Sequence, residues 1–83
     1  MLKNKRIRII LENDDKFMLP VEYDNALIGI HYNQEYMFPV YTYLALIKSH
    51  MEYNIETEEK SLNYIEDNVM SNPNIIIVDD TGV

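Results

Sequence analysis

The chain has 83 residues, 47% of them hydrophobic, no cysteine and a formal net charge of −7. That length suits one domain, and a chain this short buries roughly 60–65% of the surface its unfolded form exposes. The composition excludes a disulfide framework and thiolate chemistry, the apolar share argues against disorder, and no apolar run approaches the ~20 residues that span a bilayer.

The charge is lopsided. Residues 1–16 carry Lys3, Lys5, Arg6, Arg8 and Lys16 against Glu12, Asp14 and Asp15, a net of +2. Residues 17–83 carry Lys48 and Lys60 against eleven acids, a net of −9. An acidic body repels nucleic acid and suits a basic protein surface, although it also serves plain solubility. The opening Met-Leu-Lys-Asn-Lys-Arg leads into no long apolar stretch, so no signal peptide and an intracellular location are expected.

Arg6 to Glu12 alternates, with Ile7, Ile9 and Leu11 on one face and Arg6, Arg8 and Ile10 on the other, and reads as a half-buried strand. Asn13-Asp14-Asp15-Lys16 reads as a turn. Phe17-Met18-Leu19 reads as a return strand, confined to an edge by Pro20. Residues 20–25 fit either a helical turn opened by Pro20 or a loop, and the loop is preferred. Ala26 to Tyr32 has apolar residues on both faces, as an interior strand does, with Gly29 marking a bulge or a close approach. Asn33 to Tyr36 is the next turn and Met37 to Tyr41 the strand that returns from it.

Thr42 is placed to cap a helix from Tyr43 to about Tyr53, whose apolar positions are Leu44, Ile47 and Met51 with Tyr43 and Leu46 beside them. Asn54 is suited to the left-handed conformation that ends it. Thr57 caps a second helix, with Glu58 and Glu59 in its first turn and Leu62, Ile65 and Val69 as its stripe. Asn72-Pro73 stops that helix. Ile75 to Val78 is a short buried strand, and 79–83 a polar tail expected to fray. The whole predicts a single α+β domain over 1–83. Its sheet is mainly antiparallel, with four to five short strands, and an αα-hairpin packs on one face.

Asp24-Asn25-Ala26-Leu27-Ile28-Gly29-Ile30, Val40-Tyr41-Thr42-Tyr43, Thr57-Glu58-Glu59-Lys60-Ser61-Leu62-Asn63-Tyr64-Ile65-Glu66-Asp67-Asn68 and Ile75-Ile76-Ile77 together resemble a family of short uncharacterised bacteriophage and prophage proteins. The likeness covers about two thirds of the chain. Two positions depart from the family pattern: Thr42 stands where an Asp is usual, and Lys60-Ser61-Leu62 replaces an acid-alanine run. The resemblance implies a phage context in the cytoplasm of a bacterial host, where small accessory proteins often bind a host protein. It implies no catalytic residues.

No residue pattern marks a catalytic centre or a cofactor, and none is expected. His31 and His50 are single histidines without metal-ligand spacing. Glu52, Glu56, Glu58, Glu59, Glu66 and Asp67 gather on and between the two helices, as a solvated face or as a surface that imitates phosphate spacing. Asp79-Asp80 reads as a polar turn. The chain holds seven tyrosines, a residue enriched in interfaces, and Tyr32, Tyr36 and Phe38 flank one turn as a candidate contact patch. Lys3, Lys5, Arg6 and Arg8 form the basic cluster, with Arg6 and Arg8 side by side if the segment is a strand. The leading expectation is a non-catalytic protein that binds a host protein, a defence nuclease among them, through its acidic surface. The rivals are a nucleic-acid binder using the basic segment and a small metal-dependent enzyme. A homodimer is compatible with the small core and exposed strand edges; a membrane partner is not expected.

Overall fold

A computed structural model of the chain describes residues 2–13, 18–33 and 36–81. In order along the chain stand helix α1 (Leu2–Asn13), a 3-10 turn (Val21–Ala26), strands β1 (Leu27–Asn33) and β2 (Tyr36–Thr42), helix α2 (Tyr43–Asn54), helix α3 (Glu58–Tyr64) continued by a π-turn (Ile65–Val69), and strand β3 (Ile76–Val78). The expected turn over Asp14-Asp15-Lys16, together with Phe17, Gln34 and Glu35, lies outside the described residues.

The α+β class is as expected, but the sheet is smaller and mixed. Among the described residues it has three strands in the order β1-β2-β3. β1 pairs antiparallel with β2, and β3 pairs parallel with β2. A parallel neighbour needs a crossover of a dozen or more residues, and α2 and α3 supply it. The four-to-five-strand antiparallel sheet fails because its first two strands do not form: Met18 and Leu19 have no regular structure, and Arg6 to Glu12 is helical. The helices number more than the two expected, since α1 packs against β1.

The helix at Arg6–Glu12 has a clear physical cause. Ile7 and Leu11 are four residues apart, so they share a helix face as well as a strand face. Both are buried, whereas Ile9, which a strand would bury with them, is 49% exposed. The segment has neither Gly nor Pro, and Arg8 reaches Glu12 one turn on at 3.5 Å.

The rest of the core draws on every element. Tyr23, Ala26 and Leu27, Tyr41, and then Leu46, Ile47, Ile65, Val69 and Ile75 form one buried cluster with Ile7 and Leu11. On α2 the buried stripe is Tyr43, Leu46, Ile47 and His50; Leu44, expected inside, is 48% exposed. Direct pairing sorts the sheet into two faces. Ile30, Met37 and Ile77 pack on the core, while His31, Tyr36 and Val78 on the other face are exposed.

Several local expectations are corrected. Residues 20–25 belong to the 3-10 turn, not a loop, with Pro20 as its N-cap and the Tyr23 amide bonded to the Pro20 carbonyl at 3.0 Å. The pairing shifts between Leu27 and Gly29, so Ile28 is a bulged residue. A Cβ on Gly29 would meet nothing within 4 Å, so the glycine marks the bulge and not a close approach. Pro39 lies in β2 opposite Ile30, one residue before the pairing with β3 begins, where its missing N–H costs that ladder nothing. Thr42 is the N-cap of α2 but its hydroxyl makes no capping bond; Asp80 Oδ1 accepts from the Leu44 amide instead, at 3.0 Å. Asp80, in the tail expected to fray, thus closes that helix, while residues 82–83 lie outside the described residues. Asn54 is the last helical residue, and the left-handed position falls to Ile55 (φ 54°). Thr57 does cap α3, its Oγ1 accepting from the Lys60 amide at 3.3 Å.

Candidate functional site

The densest side-chain network in the described structure centres on His50, in the third turn of α2. Its ring is 5% exposed. Nε2 lies 2.7 Å from Glu56 Oε1 in the link to α3, and Nδ1 lies 2.7 Å from the Tyr23 hydroxyl in the 3-10 turn. A carboxylate only accepts, so Nε2 carries the ring hydrogen and Nδ1 accepts from Tyr23. Tyr64 of α3 stacks on the ring with centroids 4.3 Å apart. The Asn54 amide nitrogen donates to the His50 carbonyl at 3.1 Å and sits 3.1 and 3.4 Å from the two ring nitrogens. A nitrogen that near both at once lies over the ring, not in its plane.

Carboxylate, imidazole and hydroxyl in series resemble a relay that activates a nucleophile. The end group argues otherwise. Burial, with the neighbouring Tyr64 and carboxylates adding to it, pushes the Tyr23 hydroxyl up to about 12, so it stays a neutral donor. The chain of bonds instead holds three segments together: the 3-10 turn, α2 and the α2–α3 link.

That junction frames a cleft of about 320 Å³. Tyr23, Tyr53 and Tyr64 form its aromatic wall, and Glu22, Asn54 and Asn68 give it polar edges. Aromatic faces beside a carboxylate attract cations, so the cleft suits a lysine or arginine side chain. No spacing in the sequence links Tyr23 to His50, 27 positions apart. The legible sign was local: His50, Tyr53, Asn54 and Glu56 lie within seven residues.

The acidic residues are divided by this arrangement. Glu56 is half-buried and committed to His50. Glu66 accepts from the Tyr43 hydroxyl at 2.8 Å; burial first, and that carboxylate second, push Tyr43 up to about 12. Glu52, Glu58, Glu59 and Asp67 remain exposed on the helices. Among the described residues no three His, Asp or Glu side chains gather as metal ligands. His31 is exposed on β1.

The aromatic patch is split. Tyr36 and Phe38 share a face, their rings 6.4 Å apart, but Tyr32 pairs directly with Met37 and so belongs to the opposite face. The basic cluster is split too. Consecutive residues of a helix are about 100° apart, so Arg6 and Arg8 diverge by about 200°. Arg6 and Lys5 are exposed. Arg8 grips Asp24 in a fork, Nε to Oδ2 and Nη2 to Oδ1, each at 2.7 Å, and gives a second Nη2 bond to the Leu19 carbonyl at 2.7 Å. The hydrogen bond to Asp24 raises its already high pKa. Lys3 lies in the first turns of α1.

The sequence matches no protein-family model, and no curated protein or solved structure is significantly similar to it. No helix of the described residues is long and apolar enough to cross a membrane.

Proposed function

We propose that this chain is a non-catalytic binding protein of the phage or prophage accessory type. It docks the acidic surface of α2 and α3 on a basic surface of a host protein, with a partner lysine or arginine entering the cleft beside His50. A defence nuclease of the restriction or CRISPR type has the basic surface required, because it is built to hold nucleic acid. The observation that carries this reading is the tyrosine-lined cleft with Glu22 at its edge, one wall of which is α3, the helix whose first turn carries the exposed Glu58 and Glu59. Exposed Tyr53 and Ile55 beside it offer apolar area to a partner. The nucleic-acid reading loses support because Arg8 is bound to Asp24 and cannot grip phosphate beside Arg6.

The test is affinity capture from a bacterial host extract, followed by binding measured on the purified partner. Replacing Glu52, Glu58, Glu59 and Asp67 by Lys should weaken binding at least about a hundredfold, since rim charges steer and buried ones anchor. Tyr53→Ala should weaken it further. Glu56 and Glu66 are left intact because they hold the fold. Unchanged affinity in the four-fold variant would rule out this surface.

A further inference from the structure

A second surface, built from α1 and β1, shares no lining residue with the cleft. Among the described residues β1 is an edge strand of the sheet. Solvated edges are normally guarded by charges, proline or extreme shortness. β1 is seven residues long and reads Leu27-Ile28-Gly29-Ile30-His31-Tyr32-Asn33, without a lysine, an acid or a proline. Within the strand, the guard among the described residues is the bulge at Ile28, near its start. Alongside it runs a groove of about 440 Å³ between β1 and α1, lined by Arg6 and Ile10 from the helix and Ile28, Ile30 and Tyr32 from the strand. Ile9 extends the apolar strip along α1. Ile9, Ile10, Ile28 and Tyr32 are all exposed, Tyr32 by 65%.

The charges on α1 say what fits there. On one of its faces, Lys5 stands near the start and Glu12 near the end, both exposed. A surface with opposite charges at its two ends complements itself when turned through a two-fold axis. We infer that the β1–α1 face is the interface of a homodimer. β1 pairs antiparallel with β1 of a second copy, so two three-stranded sheets become one of six strands. The two-fold axis stands normal to the sheet, which makes α1 antiparallel to its copy. Ile9 and Ile10 then meet across the axis, and Lys5, which shares a helix face with Glu12, faces Glu12 of the other chain. The groove is closed and the unguarded edge disappears. This assignment is independent of the acidic cleft, which is lined by other residues.

Analytical ultracentrifugation over a wide concentration range tests it. The wild type should pass from a species of 9.9 kDa to one of twice that mass as concentration rises. In hydrogen exchange, the amides of residues 28–32 should gain protection over the same range. Ile28→Lys with Tyr32→Lys, both at exposed positions, should raise the dimer Kd at least about tenfold while leaving the far-ultraviolet circular dichroism unchanged. Lys5→Glu alone and Glu12→Arg alone should each dissociate the homodimer, by setting like charges opposite each other. Mixed together, these two variants should form a heterodimer. A wild type that stays monomeric throughout overturns the proposal. So does a dimer that ignores the β1 substitutions, or one without the heterodimer on mixing. Should the β1 variant fail to fold, the exchange of residues 28–32 in the wild type decides alone.

Discussion

At the scale of single residues, Ile55 carries the sharpest conflict between chemistry and conformation. It is the one described non-glycine residue at positive φ, and it is 92% exposed. A β-branched side chain in the left-handed region costs roughly 1–2 kcal/mol, and this one recovers nothing by burial. Ile55→Gly is therefore expected to stabilise the fold by about 1 kcal/mol. Its thermal melt should rise by several degrees, and an unchanged or lower melt would contradict the strain argument. If Ile55 is part of the partner surface, the same substitution should weaken partner binding while raising stability. Asn54 was the better residue for that position by propensity. It remains helical because its amide is engaged with His50, and that contact cannot be foreseen from turn preferences.

At the scale of elements, α2 shows how a helix end is completed from a distance. Thr42 occupies the capping position, yet the bond to the first turn comes from Asp80, 36 residues later. Asp80 arrives there because parallel pairing of β3 with β2 sets Val78 opposite Thr42. Asp80→Ala should accordingly cost about 1 kcal/mol in urea denaturation, the value of an ordinary cap, and Thr42→Ala much less. Equal costs, or the reverse order, would show that the hydroxyl and not the carboxylate closes the helix. The strands β1, β2 and β3 and the helices α2 and α3 were legible because apolar period, caps and proline agree over each of them. α1 was misread because Ile7 and Leu11 satisfy both periods, and only Ile9 separates them.

At the scale of the molecule, one side chain ties the N-terminal helix to the rest. Arg8 joins α1 to the 3-10 turn through Asp24 and to residues 18–20 through the Leu19 carbonyl. Tyr41 on β2 accepts from the Leu19 amide at 3.0 Å, which extends the tie into the sheet. Arg8→Ala should cost about 2–4 kcal/mol, since it strands a largely buried carboxylate. Arg6→Ala should cost less than ~0.5 kcal/mol, as exposed substitutions do. Equal effects in chemical denaturation would refute the division of the basic cluster. The sequence by itself determined the α+β class, the two helices between the last strands, the central antiparallel pair and the acidic surface of α2 and α3. These rest on periodicity, capping and charge, which act between residues close along the chain. Only the tertiary structure decided that residues 2–13 are a helix, that β3 runs parallel to β2, that Arg8 belongs to Asp24, and that His50 sits between Tyr23 and Glu56. Each of those depends on which distant side chain arrives to accept a proton or fill a gap, and no local preference encodes that.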